Sequence, residues 1–371
     1  MHLLTIMNCP RHHKSGMPTA NASLTTALER LGCRVEQVYL EDLPGRDWGK
    51  LNQLAFGFKL IRLVETYEKK YGSYDAIEVS GGDGWCFAWL KKFLNKNCLL
   101  IARSHGLEHR YWQTYLAEVA AGREKVTPQH RFYFGRLRLK QVEWSIRTAD
   151  YFRSLSQADA NYVIERGWIK PEQIIVLPNA VSDFFFQPEL KAKPFTGQLL
   201  FSGNWTWVKG NRLLVEVFKR LAQRHPALQL SIVGCNMAPA KVQAYFPPEL
   251  WSRIRIEPGL DHSQMAQEFA NHDLLLFLSL FEGYGTIVTE AMAGGLPVVG
   301  ARVGCVPELI REGETGFSVN PGEVEGFVQA VETLLNNPEV AQHIRVQARE
   351  AVKTLRWELV AKEILTAYRG N

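Results

Sequence analysis

The chain has 371 residues, enough for two domains of ordinary size, each with its own core. Its 46% hydrophobic and 22% charged residues are ordinary for a globular protein and exclude a disordered chain. Charge is unevenly shared: residues 1–175 carry 25 Lys+Arg against 18 Asp+Glu, a balance of +7, within a total of +5.

The opening His2-Leu3-Leu4-Thr5-Ile6-Met7 is too short, and lacks the basic lead, of a signal peptide; it reads as a first strand. No apolar run approaches the ~18–20 residues that span a bilayer. Short apolar runs alternate with amphipathic stretches along the chain, the pattern of βα repeats and parallel sheets covered on both faces. Strands are expected at 3–8, 35–40, 75–80, 98–103, 151–155 and 173–178. The first helix follows Ser15-Gly16, has Pro18 in its first turn, aligns Leu24, Ala27, Leu28 and Leu31, and stops at Gly32. Residues 182–197 are rich in Pro, Lys and Phe without a period and read as a linker. A second series of strands follows at 198–202, 228–233, 254–258, 273–279, 297–300 and 316–319. The fold expected is α/β, with two Rossmann-like doubly wound sheets facing across a cleft that binds a ligand at the strands' carboxyl ends. The first domain takes residues 1–181 and 356–371, and the second takes 182–355.

Cys9, Cys33, Cys86, Cys98, Cys235 and Cys305 are scattered, without a Cys-x-x-Cys pair, which favours reduced thiols in a cytoplasmic protein. Neither Asp-x-Asp nor a His/carboxylate set at ligand spacing occurs, so no metal and no cofactor are expected.

One segment carries chemistry. In 281–299 a strand runs into a loop with Glu282, Gly283, Tyr284 and Gly285; a helix then starts at Thr286 and carries Glu290 in its second turn. It ends at Gly294-Gly295 before Pro297 opens the next strand. Glycines at a helix start let a ligand approach the backbone, where N–H groups attract anions. Two carboxylates framing that point can accept hydrogen bonds from sugar hydroxyls, which suits a nucleotide sugar. Glu350 and Glu358 are equally spaced but lack the glycine loop, and no chemistry is assigned to them.

In this context the segment resembles the Glu-x7-Glu signature of the glycosyltransferase group 1 family, retaining, metal-independent enzymes of the GT-B fold. Leu200-Phe201-Ser202-Gly203-Asn204 followed by Lys209-Gly210 resembles the family's phosphate segment, with Asn204 where arginine is usual. Ile174 to Val181 and Ala149-Asp150-Tyr151 resemble its last first-domain strands. The resemblance implies that Gly16, Gly203, Asn204 and Lys209 face the donor phosphates and that Glu290 holds the ribose. It places Glu282 with the amides of Gly283, Tyr284 and Gly285 on the donor sugar, the helix start at Thr286 on the leaving phosphate, and His105 near the transferred sugar. Lys209, Glu282 and His105 are the expected catalytic groups. It also implies that the amphipathic stretch 356–369 returns to the first domain. His109 and His12-His13 are read as surface residues.

The implied function is transfer of a sugar from a nucleoside-diphosphate sugar to a glycan or lipid-linked acceptor. A non-catalytic nucleotide-sugar binder and a GT-B sugar-nucleotide epimerase are the alternatives. A nicotinamide enzyme is disfavoured because Gly81-Gly82-Asp83-Gly84 lacks the third glycine of the dinucleotide fingerprint. Arg123, Lys125, Arg131, Arg136, Arg138, Lys140 and Arg147, with Phe132-Tyr133-Phe134 among them, fit either peripheral contact with an anionic membrane or acidic glycan, or a solvated helix face. No recognition motif supports nucleic acid.

Overall fold

Twelve strands, all paired in parallel, form two six-stranded sheets in the computed structural model, which describes residues 1–7, 9–11, 16–42, 52–87, 91, 98–187, 190 and 194–369. The first sheet contains β1 (His2–Ile6), β2 (Arg34–Val38), β3 (Ala76–Ser80), β4 (Leu99–Arg103), β5 (Tyr151–Ser154) and β6 (Ile174–Val176), in the order β2-β1-β3-β4-β5-β6. The second contains β7 (Gln198–Ser202), β8 (Gln229–Val233), β9 (Ile254–Glu257), β10 (Leu274–Phe277), β11 (Val298–Ala301) and β12 (Phe317–Val319), in the order β12-β11-β10-β7-β8-β9. Contacts divide the chain into one unit of Met1–Asn179 with Trp357–Asn371, and a second of Ala180–Arg356. Each expected strand exists, within one to two residues at either end. The central strands are buried along their length, as a sheet covered on both faces requires: all four residues of Leu274–Phe277 and of Val298–Ala301 are buried.

Strand order decides where chemistry can gather. In the second sheet the chain runs outward through β7, β8 and β9, then crosses back so that β10 pairs with β7, Leu274 opposite Leu199 and Leu275 opposite Leu200. The loops after β7 and β10 therefore leave adjacent strands in opposite directions and open a crevice at their carboxyl ends. The first sheet reverses in the same way between β1 and β3.

In the first unit, side chains alternate across the sheet. Leu4, Ile6, Ile77, Val79, Leu100, Ala102 and Phe152 enter one apolar core with Phe56 and Phe87. From β3, β4 and β5 come three buried charges, Glu78, Arg103 and Arg153. Arg153 Nη2 lies 2.7 Å from Glu78 Oε2, Arg103 Nη1 lies 3.6 Å from the same oxygen, and Arg103 also donates to Asn21 Oδ1 at 2.8 Å. The Tyr368 hydroxyl donates to the other Glu78 oxygen. Tyr368 belongs to the helix Trp357–Arg369, which packs against the helix Gly16–Arg30 and is tied to it by an Arg30–Glu358 pair at 2.9 Å.

Three sequence readings are corrected. The stretch 182–197 is not a bare linker: Asp183–Phe186 form a 3-10 turn, and Phe185 is fully buried, 5.5 Å from the Phe269 ring. His109 is not a surface residue but packs on Trp168 at 4.6 Å, and burial lowers its pKa to about 4. Arg138 belongs to neither a solvated face nor a lipid site; it is buried, 2.7 Å from Asp83 Oδ1 and 3.2 Å from Glu108 Oε1. Gly81–Gly84 form a 3-10 turn beneath the helix Leu139–Thr148, and a Cβ on Gly82 would stand 2.8 Å from the Val142 nitrogen. Close packing therefore explains the glycines of that motif. Ser15, His12 and His13 lie outside the described residues.

Candidate functional site

β7 ends at Ser202, and Gly203 follows at φ +143°, a conformation that glycine tolerates. The chain then forms a 3-10 turn, Trp207–Lys209, and Gly210 at φ +76° caps the helix Asn211–Arg224. Lys209 thus lies just before that helix. A side chain on Gly210 would collide with the Leu278 carbonyl oxygen at 2.1 Å, so glycine is required to bring this loop against the end of β10. The Leu280 amide donates to the Val208 carbonyl at 2.8 Å and fastens the two loops.

From β10 come Ser279, Glu282 and the glycine loop. Lys209 Nζ forms a direct ion pair with Glu282 Oε1, and Ser279 Oγ donates to the same carboxylate oxygen at 2.8 Å. The Lys209 stem passes Gly203, whose added Cβ would lie 3.8 Å from Cδ. Gly203, Lys209 and Glu282 are therefore brought together at the crevice. Gly283 and Tyr284 are buried, and the Tyr284 carbonyl accepts from the Cys305 amide at 2.7 Å. Gly285, at φ +89°, caps the helix Thr286–Ala293 without any side-chain capping bond. This helix start presents the dipole's positive end, capped by glycine.

Glu290 sits in the second turn, 8% exposed, and its Oε1 lies 2.7 Å from His262 Nε2. His262 also meets the Phe184 and Phe185 rings edge-on at 5.3 and 5.1 Å. Burial lowers the His262 pKa, but the hydrogen bond and charge of Glu290 outweigh it and leave it raised. Asn204 is exposed, with its Oδ1 accepting from Asn236 Nδ2 at 2.5 Å. Asn236 is the single non-glycine residue at positive φ (+50°) among the described residues, a conformation concentrated at functional loops. Sequence reading missed His262, Asn236 and Ser279. Asn236, just after Gly234-Cys235 at the end of β8, and Ser279, three residues before Glu282, carried local signals; His262 carried none.

In the first unit, Gly16 begins its helix at Gly16–Arg30. His105 follows β4, half-buried, with Nε2 3.2 Å from Ser80 Oγ at the end of β3. Burial first, then the charges of Arg103 and Arg153, lowers its pKa well below the usual histidine value, so it is a neutral imidazole at neutral pH. Its loop is held by Asp159, which accepts from the Leu107 amide at 2.8 Å and pairs with Arg110 at 2.7 Å. His105 is therefore not a freely solvated turn residue.

Residues 183–351 match the model of the family described as glycosyl transferases group 1. Over this region the chain is similar to the group 1 glycosyltransferases. All the second-unit residues just described lie within the matched region. Similar proteins include the sulfoquinovosyl transferase of Arabidopsis thaliana, 31% identical over 40% of this chain and 29% of that protein. The glycogen synthase of Mycobacterium tuberculosis is 26% identical over 61% and 55% of the respective chains. The MMP alpha-(1->4)-mannosyltransferase of Mycolicibacterium hassiacum is 26% identical over 83% and 73%. The matched part thus spans about a third to a half of the first two relatives. Among solved structures, sucrose-phosphate synthase from Thermosynechococcus elongatus superposes with a TM-score of 0.79 at 21% identity, covering 100% of this chain and 98% of that one. Anabaena HepE, solved with UDP and glucose, superposes at 0.70 with 18% identity and full coverage of both chains. The fold is GT-B.

Proposed function

We propose that this chain transfers a sugar from a nucleoside-diphosphate sugar to a hydroxyl of a glycan or lipid-linked acceptor, with retention at the anomeric carbon and without a metal. The observation that carries the reading is the Lys209–Glu282 ion pair beside a glycine-capped helix start, placed by β7 and β10 in one crevice. Charge develops on the departing diphosphate, and a lysine with a helix N-terminus stabilises it where it appears. Binding of a diphosphate draws Lys209 from Glu282 to phosphate oxygen, and the released carboxylate then accepts hydrogen bonds from the donor sugar. Glu290, already ordered by His262, accepts from the ribose hydroxyls. The family match over residues 183–351, and relatives whose names record sugar transfer or glycan synthesis, support the same reading.

A thermal-shift panel of uridine, guanosine, adenosine and thymidine diphosphate sugars tests it. A ligand at ~100 times its dissociation constant stabilises by about 2.7 kcal/mol, and a panel with no response rejects a nucleotide-sugar site. Once the donor is known, Glu290→Gln weakens binding of the nucleoside diphosphate itself, by about ten-fold for a lost hydrogen bond to a charged group. Glu282→Gln instead impairs use of the sugar. Calorimetric titration with sugar-free nucleotide separates the two, and parental affinity in Glu290→Gln removes the ribose role. Turnover in excess chelator is expected to stay near its untreated value, and NMR of the product to show the donor's anomeric configuration. Metal-restorable loss, or inversion, would contradict the proposal.

A further inference from the structure

We propose that the exposed face of residues 128–148 docks the first unit on the surface of a bilayer containing anionic lipid. The segment is one continuous helical run, Pro128–Phe132, a π-helical stretch Tyr133–Arg138, and Leu139–Thr148. Its inner side is buried through Arg138, Val142, Ser145 and Ile146. Its outer side carries three large apolar side chains in the open: Phe132 at 58% exposure, Leu137 at 37% and Trp144 at 57%.

The π stretch aligns them. In a regular α-helix, twelve residues separate Phe132 from Trp144 by more than three turns, and the two would point apart. A π stretch holds about one extra residue in its turn, which takes about 100° off that rotation and brings Phe132 close to the line of Leu137 and Trp144. The neighbouring aromatic takes the other direction: Phe134 packs inward on Trp112 at 5.2 Å.

Charge on the same face points to the occupant. From Lys125 to Ala149 the chain holds six cations and a single carboxylate, Glu143. Arg138 is withdrawn into the Asp83–Glu108 pair, and Glu143 is shared by Lys140 and Arg147 at 2.8 and 2.9 Å. Arg131, Arg136, Lys140 and Arg147 are exposed within the run, and Lys125 is exposed just before it. A polyanion such as nucleic acid or an acidic glycan would satisfy the cations and leave Leu137 and Trp144 in water. At a bilayer surface, tryptophan and phenylalanine sit at headgroup depth while lysine and arginine meet lipid phosphates. Among the described residues no helix is long and apolar enough to cross a membrane, so this contact is peripheral. It rests on different residues from the donor site and stands apart from the proposed activity.

Co-sedimentation with phosphatidylcholine vesicles, with and without phosphatidylglycerol, tests it on the full chain. The parent is expected to bind the anionic vesicles and to bind the neutral ones far more weakly. Arg131→Gln and Arg136→Gln should each lower the partition coefficient about five-fold. A triple variant, Phe132→Ser, Leu137→Ser and Trp144→Ser, should lower it on the order of ten-fold or more, with an unchanged circular dichroism melt. The parent's tryptophan emission should shift to the blue on adding anionic vesicles, by an amount that falls in Trp144→Phe. A parent that fails to bind anionic vesicles overturns the proposal. So does a triple variant with parental partitioning, which would mark a surface that reads charge alone. So too does a parent that binds heparin beads but no vesicle.

Discussion

Lys209→Ala is expected to lower single-turnover sugar transfer by at least a hundred-fold. Losing one charge-assisted hydrogen bond to a buried phosphate costs roughly 1.5–3 kcal/mol, or about ten- to a hundred-fold. The structure adds a second contribution. Lys209 is the counter-ion of Glu282, so the alanine variant leaves that carboxylate facing an incoming diphosphate unshielded. Like charges at close range disfavour binding before any chemistry begins. Lys209→Ala/Glu282→Gln should therefore bind nucleotide better than Lys209→Ala alone, a coupling that a double-mutant cycle reads directly. Asn204→Arg should keep or raise donor affinity, because Asn204 is exposed and brings no charge. A fully active Lys209→Ala would remove lysine from the phosphate site. A parent that binds donor but shows neither transfer nor hydrolysis would instead make the chain a non-catalytic binder.

The two sheets were legible because period and burial agree: runs such as Leu274–Phe277 and Val298–Ala301 have no polar face, and only a covered parallel strand accommodates that. The glycine loop was legible because steric demands leave a local mark, Gly285 at positive φ in front of a helix. What stayed hidden are pairings between residues distant in sequence. His262 meets Glu290 across 28 residues, and Arg138 meets Asp83 across 55. In a basic run, Arg138 cannot be told from its exposed neighbours until the glycine turn is packed beneath its helix. His109 was misread for a related reason, since its partner Trp168 comes from a distant loop.

Glu78→Gln is expected to destabilise the first unit by about 3–5 kcal/mol, the cost of removing one member of a buried ion pair. Glu78, Arg103 and Arg153 are 6%, 2% and 2% exposed, and without the carboxylate two buried guanidinium groups face each other uncompensated. At about 2–4 °C per kcal/mol for a unit of this size, the thermal midpoint should fall by about 6–20 °C. Tyr368→Phe, which removes the hydrogen bond and keeps the ions, should cost only about 1–2 kcal/mol. Measuring both by circular dichroism separates the charge from the docking of the last helix. The pH dependence follows from the same cluster. Burial raises the Glu78 pKa, but Arg153 and Arg103 outweigh it and hold it below its ordinary value of 4.5. A carboxyl lowered by folding contributes stability that is fully present above that ordinary value and is lost as the pH falls through the lowered one. The parent should therefore lose stability in that acid window, and Glu78→Gln, which has no proton to take up there, should lose less. Equal midpoints for parent and Glu78→Gln at neutral pH would mean that the two arginines find other compensation, and the cluster would no longer explain how the returning helix is held.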